Sequence, residues 1–171
     1  MNEAAAYGGI MTGGAIQNNT GHRGAAVNIY SDDRDKRAIF TLEDDGLITR
    51  NTGISANGNE AGGAVFVEDN PAFHMIGGTV SANKASKGGG ICIVDSALQR
   101  GTAEYGTEFL MDGGVISGNR AGTGGGIYSF SNGSFLRSGK IINNTATYSG
   151  GGLYSEGKAL MVTALPIYII P

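Results

Sequence analysis

The sequence predicts an all-β repeat protein, a solenoid of stacked coils, and three observations lead there. A glycine tract followed by an aliphatic residue recurs as Gly88-Gly89-Gly90-Ile91, Gly124-Gly125-Gly126-Ile127-Tyr128 and Gly150-Gly151-Gly152-Leu153-Tyr154, with weaker copies at Gly62-Gly63-Ala64-Val65-Phe66 and Gly24-Ala25-Ala26-Val27. A second unit alternates with it. It reads Gly13-Gly14-Ala15-Ile16-Gln17-Asn18-Asn19, Gly46-Leu47-Ile48-Thr49-Arg50-Asn51, Gly77-Gly78-Thr79-Val80-Ser81-Ala82-Asn83, Gly113-Gly114-Val115-Ile116-Ser117-Gly118-Asn119 and Ser138-Gly139-Lys140-Ile141-Ile142-Asn143-Asn144. No apolar period of about 3.6 residues is sustained, so almost no helix is expected. Self-similarity of this kind marks a stack in which only the neighbouring repeats cover each unit's apolar face.

Each coil reads as a Gly-rich strand, a turn, a strand led by Phe40, Phe73, Phe109 or Phe135, a bend at paired glycines, a short Ile/Val strand and an Asn turn. That gives three short strands per coil and about five to six coils. Alternation assigns the faces. Val27/Ile29, Val65/Val67, Ile91/Ile93, Ile127/Ser129 and Leu153/Ser155 point inward, as do the stacked Ile16, Ile48, Val80, Ile116 and Ile141. Asn28, Phe66, Cys92, Tyr128 and Tyr154 point outward. Asn19, Asn51, Asn83, Asn119 and Asn144 share one turn, where Asn tolerates left-handed backbone and its amide can bond to the next coil.

With 171 residues the chain makes one domain or one stack, expected over 1–171, with core coils over 8–157 and a terminal coil or cap over 158–171. The 31 glycines lack a triplet period, which excludes collagen, and a hydrophobic content of 40% argues against disorder. The net charge of −3 and the absence of a basic run in the sequence argue against a nucleic-acid partner. Cys92 is alone, so no intrachain disulfide forms, and with two histidines a structural zinc site is not expected. No run is long enough to span a membrane, and Met1-Asn2-Glu3-Ala4 lacks the layout of a signal peptide.

The units Phe73 to Asn83 and Phe109 to Asn119, each followed by Gly-Gly-Gly-Ile, resemble the repeats of bacterial adhesin-like surface proteins. Gly13-Gly14-Ala15-Ile16 and Gly62-Gly63-Ala64-Val65 are similar to the Gly-Gly-Ala-Ile repeats of polymorphic outer-membrane and autotransporter passengers. The resemblance implies a right-handed parallel β-helix, the superfold also used by pectate lyases and polygalacturonases, and an extracellular or cell-surface setting.

The candidate site lies where coils are interrupted. The intervals from Val27 to Phe40 and from Ile91 to Phe109 are longer than those from Val65 to Phe73 and Ile127 to Phe135, so loops 31–38 and 95–108 are expected to project from one edge. Outward Phe66, Tyr128 and Tyr154, with Tyr30 and Phe130 two residues on, are expected to form a flat aromatic platform suited to sugar rings. Asp69 and Asp95 are expected as vertical neighbours about 5 Å apart, close to the separation of a retaining glycosidase pair, with Glu68 beside them. The same pair suits Ca²⁺, as in pectate-lyase-like enzymes; no cofactor is otherwise required. Asp32, Asp33, Asp35, Glu104 and Glu108 join from the loops. Asp44 and Asp112 form a weaker, wider set, and His22 and His74 read as surface residues. The expected function is a carbohydrate-binding or adhesin-like module, with a polysaccharide-cleaving hydrolase or lyase as the alternative. The expected partner is a polysaccharide. Open coil ends favour end-to-end or face-to-face association with further copies.

Overall fold

The structure, a computed structural model, describes residues 7–31, 37–55, 62–95, 106–156, 160–162 and 168–170. Among them there is no helix, and every pairing between named strands is parallel. Among the described residues no helix is long and apolar enough to cross a membrane. The first round comprises β1 (Tyr7–Met11), β2 (Ala15–Gln17), β3 (Thr20–Gly21) and β4 (Val27–Tyr30). The second repeats it as β5 (Ala38–Leu42), β6 (Leu47–Thr49), β7 (Thr52–Gly53) and β8 (Val65–Glu68). The third is β9 (Ala72–Met75), β10 (Thr79–Ser81) and β11 (Ile91–Val94), with Lys84 bridging singly to Thr52 and Arg120. In the next two rounds the Phe-led and Ile/Val segments fuse. These rounds are β12 (Glu108–Ser117), β13 (Arg120–Thr123) and β14 (Ile127–Phe130), then β15 (Gly133–Ile142), β16 (Thr145–Ser149) and β17 (Leu153–Ser155). Finally β18 (Leu160–Val162) and β19 (Tyr168–Ile170) both lie on β15.

Equivalent strands of successive rounds therefore lie side by side in the same sheet. The glycine-tract strands form a five-stranded sheet in the order β17-β14-β11-β8-β4. The Phe-led row β1-β5-β9-β12 and the Ile/Val row β2-β6-β10-β12 are one ten-stranded sheet because β12 and β15 belong to both. Short ladders β3–β7 and β13–β16 line the remaining side.

The register follows the alternation. Val27, Val65, Ile91, Ile127 and Leu153 are successive ladder partners, and so are Ile16, Ile48, Val80, Ile116 and Ile141. All of these but the terminal Ile16 pack with Leu42, Met75, Met111 and Leu136 into one interior cluster. Burial of each large aliphatic contributes about 1.5–3 kcal/mol. Phe40, Phe73 and Phe109 stack within it, ring centroids 6.0 and 5.5 Å apart.

Phe135 does not continue that column. Phe109 pairs with Ser134, and Phe135 falls one position on, beside Leu110, outside the core with the Arg137 guanidinium 6.0 Å from its ring. The vacated interior position holds three buried hydroxyls, with Ser129 2.9 Å and Ser131 3.1 Å from Ser134. These serines satisfy one another where buried hydroxyls would otherwise be costly.

The asparagine row is a hydrogen-bonded ladder. The backbone N–H and Nδ2 of Asn19, Asn51, Asn83 and Asn119 donate to Oδ1 of the next Asn at 2.9–3.1 Å. Nδ2 of Asn51, Asn83, Asn119 and Asn144 also donates to the carbonyls of Ile16, Ile48, Val80 and Ile116. The left-handed backbone, expected at these asparagines, belongs instead to the residue before each one: Asn18 (φ 60°), Arg50 (54°), Ala82 (54°), Gly118 (63°) and Asn143 (56°). A ladder Asn must aim both donors at its neighbour, so the reversal is taken one residue earlier. An L-residue with a Cβ loses roughly 1–2 kcal/mol in this conformation. Ala82→Gly is therefore expected to stabilise the protein by about 0.5–1 kcal/mol after the added unfolded-state entropy is subtracted. The readout is a higher urea midpoint at an unchanged m-value. A lower midpoint would mean that Ala82 is unstrained.

Candidate functional site

The described ends of the two long loops come together at Arg37, Gly106 and Glu108, where three side chains meet. Arg37, at the end of the first loop, directs Nη2 to Glu108 Oε2 at 3.3 Å and to the Gly106 carbonyl at 3.5 Å. Glu108 Oε1 lies 3.0 Å from His74 Nε2. Glu108 and His74 come from the neighbouring strands β12 and β9, on the side away from Phe73 and Phe109. The junction bridges the short turn of the intervening round. There Asp69 and Asn70 both have positive φ (61° and 72°), and the Asn70 N–H donates to Thr107 Oγ1 at 3.3 Å. Thr107 in turn donates to the Val94 carbonyl at 3.3 Å, tying the turn to the end of β11. Asp32, Asp33, Asp35 and Glu104 lie outside the described residues.

The expected carboxylate pair takes a different form. The β8–β11 ladder ends at Glu68 opposite Val94, and Asp69 turns out of it through its left-handed φ. Asp95 continues the strand, donating its N–H to the Phe130 carbonyl at 2.8 Å. Val94 belongs to the outer cluster, so alternation sends Asp95 inward, where it is 1% exposed. The two acids thus do not present a matched surface pair. Glu68 is held by Arg23 at 2.6 Å. Among the described residues no group of three or more His, Cys, Asp or Glu side chains is placed to hold a metal.

The aromatic face has the expected register but not the expected exposure. Asn28, Phe66, Cys92, Tyr128 and Tyr154 are successive ladder partners, and Tyr30, Glu68, Val94 and Phe130 form the next row. Phe66 and Tyr128 are only 3% and 5% exposed, and with Cys92 and Val94 they form a second buried cluster against which Phe130 and Tyr154 pack. Cations from the adjacent turns fold over the rings, with Arg23 5.9 Å from Phe66 and Lys87 5.0 Å from Tyr128. Tyr128 stacks on Tyr154 at 5.5 Å and donates its hydroxyl to Glu156 at 2.8 Å. Burial, and then that hydrogen bond, push the Tyr128 hydroxyl well above its ordinary pKa. Burial does the same to the Cys92 thiol, which leaves it a packing group rather than a nucleophile. Of the aromatics proposed for the platform, Tyr30 is the open one at 51% exposure. It lines a cleft of about 330 Å³ with Val27, Asn28, Ala38, Ile39 and Phe40, next to the loop that ends at Arg37.

Alternation and loop length pointed to this edge and to Glu108. They missed Arg37 and His74, whose meeting depends on pairing between residues distant in sequence. The signal for His74 was its place two residues before Ile76 in the strand that carries Phe73. No protein-family model, curated protein or solved structure matches the chain.

Proposed function

We propose that the repeats wind as a right-handed parallel β-helix of the surface-adhesin kind, and that the long-loop edge binds a glycan without cleaving it. The observation that carries this reading is the Arg37–Glu108–His74 junction at the described ends of the two inserted loops. Fixed charged donors and acceptors suit sugar hydroxyls, and the exposed Tyr30 ring, in the cleft it shares with Ala38 and Phe40, suits the apolar face of a sugar. Binding is favoured over cleavage because Asp95 is buried, Asp69 leaves the ladder and Glu68 is engaged by Arg23. A cell-surface location and a polysaccharide partner follow from the same reading.

On a glycan array the protein should retain a glycan and release no product. Glu108→Ala should weaken retention by roughly ten- to a hundredfold, the loss expected for one charge-assisted hydrogen bond, and Tyr30→Ala by roughly two- to tenfold, the loss expected for one stacked ring. Unchanged melting curves would show that neither change unfolds the chain. Retention indifferent to both substitutions, or release of reducing sugar or an unsaturated product, would refute this reading.

A further inference from the structure

The acidic residues are unevenly placed. Residues 12–31, 46–55, 77–94 and 113–155 contain no Asp or Glu, yet they carry Arg23, Arg50, Lys84, Lys87 and Arg120 around the side formed by β3, β7, β13 and β16. Ladder register assembles these dispersed cations. Thr20 pairs with Thr52, Thr52 bridges to Lys84, Lys84 to Arg120, and Arg120 pairs with Thr145. One row therefore reads Thr-Thr-Lys-Arg-Thr across five rounds, spaced by about 4.8 Å per strand. Asn83 and Ala85 flank Lys84 and are buried, as Asn119 and Ala121 are around Arg120, so the row faces outward, and both cations are exposed. Like charges on directly neighbouring positions destabilise a sheet. Among the described residues neither is in a salt bridge.

A second observation lies in the same sheet. The β13–β16 register shifts between Ala121 and Thr123, and Tyr148 sits in the irregular stretch. Its ring edge comes within 3.5 Å of where a Cβ on Gly122 would lie, so the ring lies beside bare backbone, and it is 82% exposed. Bulges of this sort re-aim side chains at functional edges.

We propose that this outer face binds an acidic polysaccharide. Lys84 and Arg120 pair with its carboxylate or sulfate groups, Tyr148 stacks on a sugar ring, and Thr20, Thr52 and Thr145 take hydroxyls. A nucleic acid is disfavoured because the chain carries a net charge of −3 and the row offers one exposed aromatic ring and two adjacent cations. The site is distinct from the loop edge and does not depend on it.

The test measures affinity for polygalacturonate, dextran sulfate, neutral dextran and oligo-dT. At least one of the two acidic glycans should bind, and which one does identifies the acidic group. Binding should fade as salt rises from about 0.1 to 1 M and the screening length falls from about 10 to 3 Å. The double variant Lys84→Gln/Arg120→Gln should bind about tenfold or more weakly. Tyr148→Ala, which removes an exposed ring, should weaken binding several-fold while keeping the salt dependence. The control Arg137→Gln/Lys140→Gln removes equal charge from β15 and should stay within about twofold. No binding of either acidic polymer, equal loss in the control, unchanged binding in both the Lys84/Arg120 and Tyr148 variants, or tighter binding of oligo-dT or neutral dextran would overturn the proposal.

Discussion

Replacing Asn83 by alanine is expected to destabilise the protein by about 3–5 kcal/mol, read as a lower urea midpoint. Its Oδ1 accepts from the Asn51 N–H at 2.9 Å and from Asn51 Nδ2 at 3.1 Å, and its Nδ2 donates to the Asn119 Oδ1 at 3.0 Å and the Ile48 carbonyl at 3.1 Å. Asn51 and Asn83 are each 1% exposed, so water does not readily replace what is lost. Truncation strands the Asn51 N–H, worth about 1–3 kcal/mol when buried and unsatisfied, removes a bond each from Asn119 Oδ1 and the Ile48 carbonyl, and opens a side-chain-sized void. Asn83→Asp should be no better. A carboxylate can still accept from Asn51 but faces the Ile48 carbonyl and Asn119 Oδ1 as acceptor against acceptor. Asn19→Ala should lose no more than about 1 kcal/mol, because Asn19 is exposed at the end of the row and gives up one side-chain bond. Equal losses at Asn19 and Asn83 would mean that the ladder contributes no more inside the stack than at its end.

This row was legible in the sequence because it is strictly local. An Asn closes each Ile/Val unit, and stacking brings like onto like. The inward aliphatic rows were legible for the same reason. What the sequence hid is whatever depends on one residue of slip or on cover from elsewhere. At Ser134-Phe135-Leu136 either apolar residue can enter the core, and the choice of Leu136 reverses every side chain around it. Alternation placed Phe66 and Tyr128 on the outer face but could not show Arg23 and Lys87 folding across them. Asp69 and Asp95 looked equivalent by spacing until the left-handed φ of Asp69 separated them. Lys84 and Arg120 stand alone in their own repeats, and only the ladder makes them neighbours.

The glycines give the sharpest contrast between what a repeat motif says and what its backbone requires. Gly13 and Gly125 both sit in repeat glycine pairs, and composition treats them alike. The first glycine of the later tract, Gly124, has φ +65° and makes the turn. Gly125 does not have positive φ; its constraint is space. A Cβ there would lie 2.4 Å from the Thr145 carbonyl oxygen and 2.4 Å from that of Gly151. Both belong to the backbone of the next round. The Gly125 N–H donates to Gly150 O at 2.9 Å, and Gly126 N–H donates to Gly151 O at 3.0 Å. Relief would therefore require opening the β13–β16 side and the glycine-tract ladder together. Gly125→Ala is expected to cost about 3 kcal/mol or more, since packed backbone cannot rotate away as a side chain can. A Cβ on Gly13 would meet nothing within 4 Å, and its φ is not positive, so Gly13→Ala should shift stability by no more than about 0.5 kcal/mol. Paired melting curves decide the matter. If the two substitutions behave alike, the rounds are not in the close backbone contact that the glycine tracts permit, and the register linking Lys84 to Arg120 and His74 to Glu108 goes with it.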